Sequence, residues 1–169
     1  QENGDSTENS GGNSYYNILN HGVMTINEGV TVEQDGAFSS LIDNGYFSYT
    51  NTNERSGYVA GRNQAEPKLT INGGTFSGGI NTIKNDDGAE LVIYDGLITN
   101  VTQAAVQNNN VATIYGGTFE AENYDVLQNK HYDTDYNAGK LTVSGGEFTG
   151  NVLTTTGATW SITGGTFSS

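Results

Sequence analysis

The chain has 169 residues and a formal net charge of −13, with six Lys plus Arg against 19 Asp plus Glu. So few basic side chains exclude nucleic-acid binding driven by phosphate neutralisation, and the acidity suits a surface that resists aggregation. The absence of cysteine rules out a disulfide, a thiolate nucleophile and a cysteine metal site; no apolar run approaches the ~18 residues of a membrane helix, so no membrane insertion is expected.

Residues 1–14 (QENGDSTENSGGNS) are polar and acidic. They cannot bury enough surface to offset their ordering entropy, and a disordered linker is expected there. From Tyr15 onward one motif returns. Its copies are Met24–Thr31 (MTINEGVT), a weaker one at Phe47 (FSYTNT), Leu69–Phe76 (LTINGGTF), Leu91–Ile98 (LVIYDGLI), Ala112–Phe119 (ATIYGGTF), Leu141–Phe148 (LTVSGGEF) and Trp160–Phe167 (WSITGGTF). The steps between copies are 23, 22, 22, 21, 29 and 19 residues. A near-constant period of this size is the signature of a solenoid.

Each copy reads as a short strand. In Leu69-Thr70-Ile71 the apolar residues alternate with a polar one, so Leu69 and Ile71 face inward. Gly73-Gly74 breaks the strand at a corner, and Phe76 points inward from the next strand. The expected inward stacks are Met24, Phe47, Leu69, Leu91, Ala112, Leu141 and Trp160; Ile26, Tyr49, Ile71, Ile93, Ile114, Val143 and Ile162; and Phe76, Ile98, Phe119, Phe148 and Phe167. A further short strand in each coil ends on Asn20, Asn85, Asn108 or Asn129. These read as an asparagine ladder at a corner, since Asn tolerates turn geometry and can bond to the Asn above it.

Pattern and period resemble the right-handed parallel β-helix of the pectate-lyase-like superfamily. The GGTF corner resembles repeats common in secreted and surface proteins of gut and soil bacteria. The resemblance covers Tyr15 to Ser169 and implies an all-β, right-handed parallel β-helix (solenoid). It would have about seven coils, three short strands per coil and a period of about 21–23 residues. Residues 15–169 are then one β-helix domain, expected to be a fragment of a longer chain. The resemblance leaves activity open, because the fold hosts lyases, hydrolases, adhesins and sugar-binding modules.

Lyases that resemble this fold use aspartates for calcium and a basic residue to abstract a proton. Here the outward positions Thr25, Ser48, Thr70, Val92, Thr113, Thr142 and Ser161 carry no carboxylate cluster. The only arginines, Arg55 and Arg62, lie in the irregular second copy, and the only histidines are His21 and His131. No catalytic residue is assigned. His21 reads as a solvated turn residue and Asn85-Asp86-Asp87-Gly88 as a turn. A flat ice-binding threonine face is disfavoured by Val92 and by two tyrosines in the neighbouring row.

The candidate ligand-binding residues are Tyr94 and Tyr115, outward on adjacent coils, and Tyr132 and Tyr136. The first pair reads either as a cross-strand aromatic pair that supports the sheet or as a flat platform for a sugar ring. Tyr132 and Tyr136 lie in the long step, where a loop at His131 to Ala138 (HYDTDYNA) should project from a corner. Asp133, Asp135 and Asn137 alternate there like the start of a calcium loop, although Ala138 and Ser144 stand where such a loop needs glycine and glutamate. The expectation is a non-catalytic, extracellular or cell-surface adhesin or carbohydrate-binding module of a bacterial surface protein. Its partner would be a polysaccharide or other glycan, or a host surface protein, with calcium the one candidate cofactor. A polysaccharide lyase or glycoside hydrolase is the first alternative and a structural stalk the second.

Overall fold

The computed structural model describes residues 16–36, 38–45, 66–86, 88–131 and 138–169. The expected linker, residues 1–14, lies outside them. Sixteen strands are described. They are β1 Ile18–Asn20, β2 Val23–Ile26, β3 Thr31–Gln34, β4 Ile42–Asn44, β5 Lys68–Ile71, β6 Thr75–Gly78, β7 Asn81–Asn85 and β8 Glu90–Ile93. They continue with β9 Leu97–Thr99, β10 Ala104–Asn108, β11 Val111–Ile114, β12 Thr118–Asn129, β13 Lys140–Val143, β14 Glu147–Thr154, β15 Thr159–Ile162 and β16 Thr166–Ser168.

Every ladder between these strands is parallel. One six-stranded sheet runs β2-β5-β8-β11-β13-β15 and contains the repeated motif. The remaining strands form a ten-stranded sheet, in which β12 pairs with β9 through its first residues and with β10 through its last. That sheet is therefore two columns joined at the long strands β12 and β14. The result is a curled, all-parallel stack of the kind a β-helix-like solenoid makes.

Alternation in the sequence produces this stack directly. In β5 Leu69 and Ile71 are fully buried, while Lys68 and Thr70 are half-buried. The register places Leu69 beside Leu91 and Ile71 beside Ile93, and the same columns continue through Ala112, Leu141, Ile114 and Val143. Phe76, Ile98, Phe119 and Phe148 fill the third inward column and are all buried. Phe119 and Phe148 stack at 4.7 Å between ring centroids, and Phe148 and Phe167 at 4.6 Å. Each buried large apolar side chain contributes roughly 1.5–3 kcal/mol. The last members of the columns are only partly covered, with Ile162 49% and Phe167 40% exposed.

Two expected column members, Phe47 and Tyr49, fall between strands that pair directly. Met24 pairs directly with Leu69, so no strand lies between β2 and β5. Phe47, Ser48, Tyr49, Arg55 and Arg62 lie outside the described residues, and the 45-residue interval from 24 to 69 contributes one step in this sheet rather than two. The weak pattern at Phe47 (FSYTNT) lacks the corner glycine that both neighbouring copies carry, Gly29 in one and Gly73-Gly74 in the other.

The asparagine ladder is present and gains a member. Side-chain amides donate in one direction, from Asn20 to Asn44 (2.7 Å), Asn44 to Asn85 (2.8 Å), Asn85 to Asn108 (2.8 Å) and Asn108 to Asn129 (2.9 Å). Each amide also reaches a backbone carbonyl of the six-stranded sheet, as Asn44 does with Glu90 (3.0 Å) and Asn129 with Thr159 (2.8 Å). All five asparagines are buried. Burial of a polar amide is tolerated because its partners are supplied on both sides.

Candidate functional site

The outward face of the six-stranded sheet carries three rows. The row nearest the asparagine corner is Val23, Lys68, Glu90, Val111, Lys140 and Thr159. Lys68 and Glu90 form an ion pair at 3.0 Å, both partly exposed, which bounds a groove of about 460 Å³ with Val23, Pro67 and Val111. The middle row is Thr25, Thr70, Val92, Thr113, Thr142 and Ser161. Val92 points outward by alternation yet is only 7% exposed; its own strand places Glu90 and Tyr94 on the same face.

The third row follows the strands at the glycine corner. It begins with Asn27 and Asn72, whose side chains bond at 2.9 Å. Tyr94 and Tyr115 come next, each 51% exposed, with ring centroids 4.9 Å apart and planes 7° apart. Backbone bonds set their rung positions: Tyr94 N–H donates to Ile71 (2.8 Å) and Tyr115 N–H to Ile93 (2.8 Å). Two rings stacked on one another cover each other's inner faces. This is the cross-strand aromatic pair supporting the sheet, one of the two readings the sequence offered. The row ends with Ser144 and Thr163, both exposed, whose hydroxyls lie 3.5 and 3.4 Å from the carbonyls of Ile114 and Val143.

Beside this row runs a glycine corner. A Cβ on Gly145 would stand 2.3 Å from the Tyr115 carbonyl oxygen, and one on Gly164 would stand 2.2 Å from that of Ser144. The next residue, Gly146 or Gly165, has φ near +108° or +107°, which L side chains rarely adopt. The chain therefore excludes side chains here for reasons of packing. The bare corner becomes the floor of an open polar groove of about 540 Å³, walled by Asp95, Thr118, Glu147 and Thr166. Asp95 also accepts the Gly96 N–H at 2.8 Å.

Tyr132, Asp133, Asp135, Tyr136 and Asn137 lie outside the described residues. On either side of them, the Gly139 N–H donates to the Lys130 carbonyl at 2.8 Å and the His131 N–H to the Thr155 hydroxyl at 2.7 Å. The interval after Gly45 starts from the same corner, with Gly45 N–H on Asn20 (3.0 Å) and Lys68 N–H on Gly22 (2.8 Å). Among the described residues, no group of three or more His, Cys, Asp or Glu is placed to hold a metal ion. His21 is half-buried rather than fully solvated, and burial lowers its pKa.

A titratable cluster that the sequence did not reveal sits against β4 and β7. Lys84 contacts Asp86 at 2.6 Å, and the second Asp86 oxygen accepts from Asn109 at 2.9 Å. The turn read at Asn85–Gly88 closes with the Ala89 N–H on the Asp86 carbonyl at 3.3 Å, and the Asp86 side chain is fully buried. Asp43 pairs with Lys84 across the ladder and is 3% exposed. Burial, and then the charge of Asp86, push the Asp43 carboxyl up to about 7, against the smaller opposing effects of Lys84 and a hydrogen bond with Tyr16. Burial alone would lower Lys84; the carboxylates of Asp86 and Asp43 outweigh it and raise its pKa.

No family model, curated protein or solved structure matches the chain.

Proposed function

We propose that this chain is a non-catalytic glycan-binding module built on a right-handed, pectate-lyase-like β-helix, working outside the cell or on its surface. Right-handed crossovers are the strong rule for parallel strands joined through a second layer. The observation that carries the functional reading is the exposed Tyr94–Tyr115 stack, set beside a polar groove whose walls are hydroxyls and carboxylates. Exposed aromatic rings with a few oriented polar groups are what a sugar requires: the outer faces and edges of the stack meet its C–H surface and the oxygens bond its hydroxyls.

Affinity electrophoresis through plant, mucin and microbial polysaccharides, with calcium and with chelator, tests the reading. Retardation by one polymer without shortening it is the expected result, and its loss in Tyr94→Ala plus Tyr115→Ala assigns the site. Loss of retardation with chelator would bring Asp133, Asp135 and Asn137 into the binding. Shortening of a polymer would replace this proposal with a lyase or hydrolase. No retardation by any polymer would leave a protein-binding surface or a stalk.

A further inference from the structure

The third row of the sheet changes abruptly after Tyr115. Asn27 and Asn72 fill the places before Tyr94 with bonded carboxamides, and Tyr94 covers one face of Tyr115. Beyond Tyr115 the register offers only Ser144 and Thr163. Their small side chains stand within 3.5 Å of backbone carbonyls, so they do not rise beside the ring. The adjoining corner positions, Gly116, Gly145 and Gly164, add nothing, because a Cβ there would collide with backbone oxygen at 2.2–2.7 Å. The outcome is a notch: the Tyr115 face turned away from Tyr94 at one end, a low floor of Ser144 and Thr163, and, across the glycine corner, the groove walled by Thr118, Glu147 and Thr166.

The geometry points to this notch as a subsite for a single pyranose ring, entering edge-on and continuing the aromatic column beyond Tyr115. The inference rests on the glycan-binding reading and sharpens it. A polymer laid along the sheet would meet the tyrosine edges, since the stacked rings hide their inner faces from it. A chain end or a one-residue branch can instead slide into the next place of the column, where rung spacing is about 4.7–4.9 Å. A pyranose has an apolar C–H face for Tyr115 and hydroxyls around its rim for Glu147, Thr118 and Thr166. An aromatic side chain from a protein would cover the ring but make no use of those oxygens, whereas a pyranose bonds to both.

Saturation-transfer NMR on the full chain tests this with the methyl glycosides of glucose, galactose, mannose, fucose and N-acetylglucosamine, and with N-acetyltyrosinamide as the aromatic control. At least one glycoside should receive saturation, concentrated on the C–H protons of one ring face. Ser144→Tyr fills the next place of the column, so it should abolish that signal while keeping or raising the thermal midpoint. Asn72→Tyr fills the column on the other side and should leave the signal in place. Tyr115→Ala should weaken binding roughly tenfold or more.

A glycoside signal that survives Ser144→Tyr, in a protein whose glycan binding still needs the tyrosines, would overturn the notch and leave the broader reading standing. Polysaccharide retardation without a signal from any monosaccharide would also refute the notch and favour internal-chain recognition. Transfer to N-acetyltyrosinamide alone would refute it in favour of a protein ligand. Absence of both retardation and transfer would overturn both readings.

Discussion

Replacing Asp43 with Asn should change how stability depends on pH. The carboxyl of Asp43 has an ordinary value of 3.8 in the unfolded chain and about 7 in the fold, raised first by burial and then by Asp86. The native state therefore keeps a proton that the unfolded chain releases above pH 3.8. Stability falls as pH rises through this window and levels off above about 7, because between the two values the unfolded state binds fewer protons. The interval of about three pH units, at ~1.4 kcal/mol each, amounts to on the order of 4 kcal/mol. Asp43 is almost wholly buried, so solvent screens little of it. Asn keeps the shape, does not ionise, and offers an N–H to the Asp86 carboxylate. The variant should match the wild type near pH 3 and exceed it by a few kcal/mol at pH 8. Urea denaturation across pH 3–8.5, with m-values compared, reads both curves. Two profiles separated by a constant offset would refute the reasoning, since they would mean that Asp43 titrates alike in the folded and unfolded chains.

Other perturbations test separate layers of the structure. Lys84→Met leaves Asp86 buried without its 2.6 Å partner and should cost about 3–5 kcal/mol in urea denaturation; a cost under about 1 kcal/mol would show that the pair is not closed off from water. Asn108→Ala removes both an acceptor for Asn85 and a donor to Asn129, for an expected loss of about 2–4 kcal/mol by the same assay. Phe148→Ala opens a void between Phe119 and Phe167; about 3–5 kcal/mol is expected, with a fall in thermal midpoint that Phe167→Ala, at the exposed end of the column, should not equal.

The fold was legible because its determinants are local and repeated. Leu-x-Ile, the paired glycines and the following Phe each act within eight residues, and stacking multiplies the same signal in successive coils. Asn44 shows where reading by copy fell short: Ile42-Asp43-Asn44 has the same Ile-x-Asn form as Ile83-Lys84-Asn85, but it lies before an interval that lacks the glycine corner. The Asp43–Lys84–Asp86 cluster was out of reach for a different reason. Alternation assigns Asp43 and Lys84 to the outward side, where charged groups are ordinarily solvated, and nothing in a strand pattern tells that these positions are covered. Tyr94 and Tyr115 were placed correctly on adjacent rungs, whereas the orientation of their rings depends on torsions that spacing does not encode.

The asparagine ladder has a consequence for how the chain keeps its place. Its five amides point the same way, so the array has a distinct head and tail. A slip of one residue at any rung would bring in a neighbour such as Asp43, Lys84 or Gln107, and the buried amides on either side would lose a donor or an acceptor. The ladder is thus a register gauge that reads each rung against its neighbours. After the interval from 46 to 65, Asn85 closes on Asn44 at 2.8 Å, and after that from 132 to 137, Asn129 reaches Thr159 at 2.8 Å. Length can therefore be inserted at this corner without an error being carried forward, because the count is restored at the next asparagine contact.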